Sequence, residues 1–335
     1  MADQERVKLI SGQTDIYVSI GIVLMFYGLL QVLWQIGHLT GLIFAGASWA
    51  LTEYFWKRRG MMLPGILLLG IFIAGSVSWL FAISLELPGP AIGDGHAPGI
   101  AELVTPLRGL FISAGAIGAG VLFWSRFYIS FVWFVVALAG LSFTSFLEMM
   151  LFADPSTVRA NVIILIYALG QFLVAIWLDM SDIFRQTRRS DIAFWLHLFS
   201  GFAIANVTLY LAVGLDPSAG VPYPLFRSTL LNLDVGQAVL VLSLFILFGV
   251  VGLLINRRAL MMSSLLFTLM AFGVLLGEGQ GSLPIAGAFA LGTIILVTGA
   301  FWTPLRRLLL AGLPPLLVAQ LPRTDIGKPR PRPVT

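Results

Sequence analysis

The sequence predicts an all-α, polytopic membrane protein: a bundle of about ten transmembrane helices with both termini in the cytoplasm. The first observation is composition, since the 335-residue chain is 58% hydrophobic and only 11% charged, whereas a soluble domain has about 25% charged residues. The second is that apolar segments recur from end to end of the chain. The third is that basic residues gather in every second gap between those segments, which is the pattern that orients membrane helices.

A helix needs about 20 apolar residues to cross the hydrocarbon of a bilayer. Ten segments meet or approach that length: residues 16–37, 40–56, 61–85, 107–124, 128–152, 160–180, 192–214, 235–255, 258–277 and 284–302. The second segment is short and follows the first through a tight link, so these two are expected to form a helical hairpin. A small-residue stretch in the fourth, Gly115 to Gly120, is typical of tight helix contacts.

The remaining chain divides into short flanking segments. Residues 1–15 are polar and run into a full-length span, which predicts a cytoplasmic segment before an uncleaved first helix. The transmembrane domain then covers residues 16–302. Residues 303–322 are apolar but broken by prolines, which favours a short interfacial helix over an eleventh span. Residues 323–335 are basic and proline-rich, and we expect a disordered tail.

The basic residues decide the expected orientation. With the N-terminus in the cytoplasm, seventeen of the twenty lysines and arginines fall on the cytoplasmic side and only Arg108, Arg159 and Arg227 fall on the other. Losing or adding one span would destroy this agreement, so the pattern favours an even number of spans. We expect a multi-pass protein of the cell inner membrane, whose first partner is the lipid bilayer. The net charge of +4 is spread over helix ends, which argues against nucleic acid as a partner.

Several kinds of chemistry find no support in the sequence. The chain has no cysteine, which excludes disulfides and thiolate metal sites. His38, His96 and His197 do not have the spacing of metal ligands. Phosphate-binding loops, zinc-protease motifs and hydrolase elbows are missing. We therefore expect no metal and no cofactor, name no catalytic residue, and consider an enzyme less favoured than a non-enzyme.

Polar residues inside the spans supply the candidate binding site, because such groups usually face the interior of a bundle. Tyr27, Gln31, Gln35 and His38 share one face of the first span. Two interpretations stay open for this face: it lines a cavity open to the outside, or it forms hydrogen bonds between helices.

The later spans add further candidates. Glu148 lies about one turn from the end of the fifth span, where a carboxyl that gains and loses a proton would suit a proton-coupled step; its alternative is an interfacial acid that reaches water. His197 lies inside the seventh span, and Tyr167 and Gln171 form a pair in the sixth. The substrate-binding hypothesis therefore comprises Gln31, Gln35, His38, Glu148, Tyr167, Gln171 and His197. Glu53, Asp179 and Asp182 are expected in interfacial ion pairs at the cytoplasmic ends.

Three stretches carry a resemblance: Glu53 to Pro64, Ser190 to His197, and Asn256 to Leu260. They resemble segments of uncharacterised bacterial polytopic membrane proteins, and this resemblance implies no activity. The topology, ten spans with both ends inside, is similar to that of the drug/metabolite transporter superfamily. That likeness concerns architecture only, since the superfamily's five-plus-five repeat is not visible in this chain.

Three functions follow as hypotheses. The first is a small-solute transporter or permease, with proton coupling as an option, resting on the buried polar residues. The second is a non-catalytic scaffold or assembly subunit of a membrane complex. The third is a lipid-modifying membrane enzyme, which would need Asp191, His197 and the arginines of residues 185–189 to converge at the cytoplasmic face.

Overall fold

The computed structural model describes residues 13–33, 37, 39–87, 104–152, 156–182, 187–213, 235–257, 289, 292–293 and 295–321. Over these residues the regular structure is entirely helical, which confirms the predicted fold class. Six of the described helices are long and apolar enough to cross a membrane. The chain is therefore compatible with a multi-pass membrane protein, while the count of ten spans and the side of each terminus stay predictions.

The chain divides into two compact units, residues 5–155 and residues 156–335 together with residues 1–4. The helices of the first unit are α1 (Gln13–Leu33), α2 (Leu39–Thr52), a π-helix (Glu53–Arg58), α3 (Met62–Ser84), α4 (Pro106–Phe127) and α5 (Val132–Leu151). The helices of the second unit are α6 (Thr157–Ser181), α7 (Arg188–Val213), α8 (Val235–Leu254), α9 (Trp302–Ala311) and α10 (Pro315–Gln320).

The first eight predicted spans coincide with α1 to α8 in order. The span expected at residues 258–277 lies outside the described residues, as does much of the one at residues 284–302. The proline-broken stretch contains α9 and α10, and Pro314 stands at the N-terminal boundary of α10. The first two helices differ from the expected hairpin, because α1 packs more extensively against α3 than against α2.

Aromatic side chains fill the core of the first unit. Phe72, Phe123 and Phe127 are buried, and the Trp49 ring packs against all three with ring centroids 4.9–5.9 Å apart. The Trp56 indole donates a hydrogen bond of 2.8 Å to the backbone carbonyl of Phe127. Because an indole N–H needs a partner when it is shielded from water, this bond ties the π-helix to the end of α4.

A close backbone contact of this unit joins α2 and α3 at two glycines. A Cβ atom at Gly75 would lie 2.6 Å from the carbonyl oxygen of Gly41 and 2.9 Å from the backbone nitrogen of Ala45. The two backbones therefore approach as small-residue pairs allow in membrane helices. In the predicted small-residue stretch of α4, a Cβ at Gly115 would meet Leu80, whereas one at Gly118 would meet nothing within 4 Å.

This approach predicts that Gly75→Ala separates α2 from α3. We expect the substitution to lower the free energy of unfolding by about 1–3 kcal/mol, the usual effect of overpacking a close contact. Gly70→Ala is the matched control on the same helix, because a Cβ there would meet nothing within 4 Å. Thermal unfolding of the two variants in one detergent measures the difference, and equal melting temperatures would contradict the close approach.

Candidate functional site

Helices α6 and α7 of the second unit pack closely along their lengths. Ala168 and Ala175 on α6 and Ala193 on α7 are completely buried. Small side chains let the two backbones come close without a large cavity. Of the six candidate spans, α7 is the most buried within the protein. In an apolar stretch of 18 residues, 67% of its residues are buried, against 11–33% in the other five spans. A buried polar side chain of α7 therefore bonds either to its own helix, as the Ser200 hydroxyl does to the His197 carbonyl, or to a neighbouring element.

His197 and Asp179 are such partners. The imidazole Nε2 lies 2.9 Å from the Asp179 Oδ2, and the two residues are 0% and 3% exposed. An ionised carboxylate only accepts hydrogen bonds, so Nε2 carries a proton in this contact. The Phe172 ring stands edge-on to the imidazole, with ring centroids 5.4 Å apart. Asp179 thus fixes the tautomer of a histidine enclosed by apolar helix surface.

Arg257, from the turn after α8, neutralises the carboxylate. Its Nε donates to both oxygens of Asp179, at 3.2 Å and 3.0 Å, and its Nη2 also donates to Oδ1. The same Nη2 donates to the carbonyl and hydroxyl oxygens of Ser190, at 2.9 Å and 3.0 Å. Arg257 is only 2% exposed. We call Asp179, Ser190, His197 and Arg257 the Asp179 cluster; it joins α6, α7 and the end of α8.

The turn that carries Arg257 is held from its other side by α9. Asn256 adopts a left-handed backbone conformation (φ 54°), which asparagine tolerates better than most residues. Its Oδ1 accepts a 2.8 Å hydrogen bond from the Trp302 indole. Arg306, fully buried, donates to the carbonyls of Leu253 and Leu254 at the C-terminal end of α8. The Leu253 carbonyl also accepts from the backbone N–H of Asn256 at 3.2 Å. Carbonyls of the last turn lack the regular α-helical partner, so a guanidinium there stabilises the helix end.

The remaining predicted residues of the second unit lie near this cluster on α6. The Tyr167 and Gln171 side chains are hydrogen-bonded to each other, and the Tyr167 ring meets the Phe199 ring edge-on at 6.3 Å. Gln171 precedes Asp179 by two helical turns, about 12 Å along the axis. The four-residue spacing of this pair correctly indicated a shared face, and its binding role stays a prediction.

The predicted residues of the first unit have different surroundings. Glu148 is buried near the end of α5, and the hydroxyls of Thr144 and Ser145 bond to carbonyls of their own helix. Tyr27 and Gln31 are exposed on α1. Gln35 and His38, also part of the substrate-binding hypothesis, lie outside the described residues. Their role in substrate binding stays a prediction.

The expected ion pairs form in part. Glu53 pairs with Arg126 at 2.5 Å and with Lys57 at 3.8 Å, as predicted. Asp179 also pairs with an arginine, and this pair is buried near the C-terminal end of α6; its position at the membrane interface stays a prediction. Asp182 accepts hydrogen bonds from the backbone and hydroxyl of Thr187 at the start of α7.

Sequence reasoning missed Arg257, because it counted that residue among the arginines of a cytoplasmic loop. One signal was available. Asp179 falls inside the predicted span 160–180, and an acid at that depth needs a cation or a proton.

The hypothesis of a lipid-modifying enzyme requires Asp191, His197 and the arginines of residues 185–189 to lie together. The described residues among them do not form one group. Arg188 and Arg189 are exposed in the first turn of α7, and Asp191 is half-buried there. His197 lies almost two turns further along the helix, against Asp179. Among the described residues, no three histidine or acidic side chains gather as metal ligands would.

Comparison of the chain with protein-family models and with curated proteins finds no match. The function proposed below therefore rests on the geometry of the cluster and the character of the helices.

The cluster predicts a large effect of removing Arg257. We expect Arg257→Gln to lower the free energy of unfolding by about 3–5 kcal/mol, since it leaves a buried carboxylate without its compensating charge. Adding Asp179→Asn should recover part of that loss. Arg188→Gln, which removes an exposed arginine, is the control and should change stability by less than about 1 kcal/mol. Equilibrium unfolding in mixed micelles measures all four proteins, and an unchanged Arg257→Gln would contradict the pair.

The contacts of α9 predict that Arg306 keeps the cluster closed. The chain has no cysteine, so a single Ala193→Cys reports on access to this buried interface. We expect Arg306→Gln to accelerate maleimide labelling of that cysteine about tenfold or more, because a lost charged hydrogen bond is worth about 1.5–3 kcal/mol. Arg307→Gln removes the exposed neighbouring arginine and should leave the labelling rate unchanged. Equal rates in the two variants would show that α9 does not control the interface.

Proposed function

We propose that this protein is a proton-coupled permease for a small solute in a bacterial inner membrane, and that the Asp179 cluster is its coupling site. The observation that carries the proposal is the buried contact of Asp179 with both His197 and Arg257 between apolar helices. Ionisable groups inside a membrane bundle are costly and usually belong to a substrate or proton pathway. Histidine is the side chain whose charge most readily changes near neutral pH.

The charge balance of the cluster indicates the class of solute. Asp179 and Arg257 compensate each other, so the cluster is electroneutral while His197 is neutral. A proton on His197 leaves one positive charge without compensation in a buried site, and such a charge is unfavourable there. An anionic solute that arrives with the proton would restore neutrality. We therefore infer that small anions, such as carboxylates, are the first solutes to test.

The orientation belongs to the same proposal. Positive charge in alternate gaps supports ten spans with both termini in the cytoplasm. In that orientation, the end of α6 with Asp179, the start of α7 and the turn carrying Arg257 lie toward the cytoplasm. A coupling site at this depth would exchange its proton with the cytoplasmic side when the helix ends separate.

The proposal is tested by proton-coupled currents in proteoliposomes on a solid-supported membrane. We expect concentration jumps of small carboxylates, amino acids, sugars or nucleosides to evoke a current for at least one class, most strongly at acidic pH. His197→Gln, which retains a polar side chain but cannot carry the charge, should abolish the proton-coupled current. The Glu53→Gln variant, altered in an exposed ion pair of the first unit, should keep the wild-type current.

Two results would contradict this function. One is a current that His197→Gln leaves unchanged, which would remove the cluster from the coupling step. The other is the absence of any evoked current across the solute classes with protein shown to be folded and inserted. That second result would favour the alternative, a non-catalytic subunit of a membrane complex. The exposed Tyr27 and Gln31 on α1 support the alternative, because a polar face turned to lipid calls for a partner helix.

A further inference from the structure

We propose that the basic end of the first unit is a binding site for the headgroup of an anionic phospholipid. Two elements supply exposed cations there. Lys57 and Arg58 end the π-helix, Arg59 follows directly, and Arg126 belongs to the last turn of α4. With the Glu53 carboxylate among them, four positive charges and one negative charge leave a net charge of +3. This site shares no residue with the Asp179 cluster, and the proposal does not depend on transport.

The cations are held in place before any lipid arrives. Glu53 bonds to the Arg126 Nε at 2.5 Å and lies 3.8 Å from the Lys57 Nζ, so one carboxylate fixes cations from both elements. The Arg59 Nη2 donates to the Tyr54 hydroxyl at 3.0 Å, and its guanidinium lies over the Tyr54 ring at 5.5 Å. Side chains already ordered in this way lose less conformational entropy when they bind a phosphate.

Aromatic side chains place this end at the depth of lipid headgroups. Tyr54 and Tyr128 are 41% and 49% exposed, and the Trp124 ring contacts Tyr128 edge-on at 5.6 Å. Tryptophan and tyrosine concentrate at the boundary between hydrocarbon and headgroups. Phosphates lie at that level, where the attraction of an anionic lipid to lysine and arginine is strongest.

The surface of α4 also offers a path for the acyl chains. Leu122 precedes Arg126 by four residues and therefore lies on the same face of the helix, one turn deeper. Leu122 is 56% exposed and its neighbour Val121 is 46% exposed. A lipid whose phosphate meets Arg126 can lay its hydrocarbon along this apolar strip. The combination of fixed cations, an aromatic boundary and an apolar strip favours an intact anionic phospholipid over a soluble phosphate.

The test uses electron paramagnetic resonance of the full chain reconstituted in phosphatidylcholine vesicles. Spin-labelled phosphatidylglycerol and spin-labelled phosphatidylcholine are compared as probes of lipid bound to the protein. We expect a preference for phosphatidylglycerol that falls about fivefold for each cation removed at low salt. Arg126→Gln tests α4, and Arg58→Gln with Arg59→Gln tests the π-helix end.

The matched control is Arg188→Gln with Arg189→Gln, which removes two exposed arginines from the start of α7. This control should keep the preference. An equal loss in the two double variants would show a general effect of basic residues and overturn the site. So would an Arg126→Gln variant that keeps the full preference while remaining folded by thermal unfolding. Release of the labelled lipid by millimolar inorganic phosphate at constant ionic strength would assign the cations to a soluble anion, and would also overturn the lipid site.

Discussion

The second unit depends on the neutralisation of one buried carboxylate, that of Asp179. A carboxylate enclosed between apolar helices is stable only with a compensating charge and with hydrogen bonds to its oxygens. Arg257 supplies the charge and His197 supplies a further hydrogen bond, and each comes from a different part of the chain. The distance between α6 and α7 and the position of the turn after α8 are therefore fixed together. Through Asn256 and Trp302 the same requirement extends to α9.

The two units solve the packing problem in different ways. In the first, aromatic rings and a glycine contact bring the helices together, and the ion pairs of Glu53 stay at one exposed end. In the second, alanines pack α6 against α7 and the buried charges of the Asp179 cluster join them to the end of α8; the first unit buries charged side chains too, among them Arg108 and Glu148. The two units therefore differ in the contacts that join their helices, and not in whether they bury charge.

Hydropathy predicted the helices well, because a span is a local property of about twenty residues. The first eight segments fall on α1 to α8 for this reason. The contacts between helices were beyond the sequence. Asp179 and Arg257 are 78 residues apart in the sequence, and the residues around either position do not indicate which residue is its partner. Gly41 and Gly75 meet because two helix faces are turned to each other. In the predicted small-residue stretch of α4, Gly115 packs closely against Leu80, whereas Gly118 has open space beside it. Spacing indicated the Tyr167 and Gln171 pair, since both residues lie on one helix.

Stability alone does not account for the Asp179 cluster. Replacing a buried ion pair by apolar side chains of similar volume often leaves a protein as stable or makes it more stable. Elsewhere on α6 and α7, Ala168, Ala175 and Ala193 are completely buried and bring no charged group into the protein. A membrane protein that needed only to hold these helices together would have no use for an acid, a histidine and an arginine at one point. In the proposed function the cluster does what alanine cannot, because histidine is a side chain that can take up and release a proton near neutral pH. That difference is the physical reason for preferring a permease to a static scaffold.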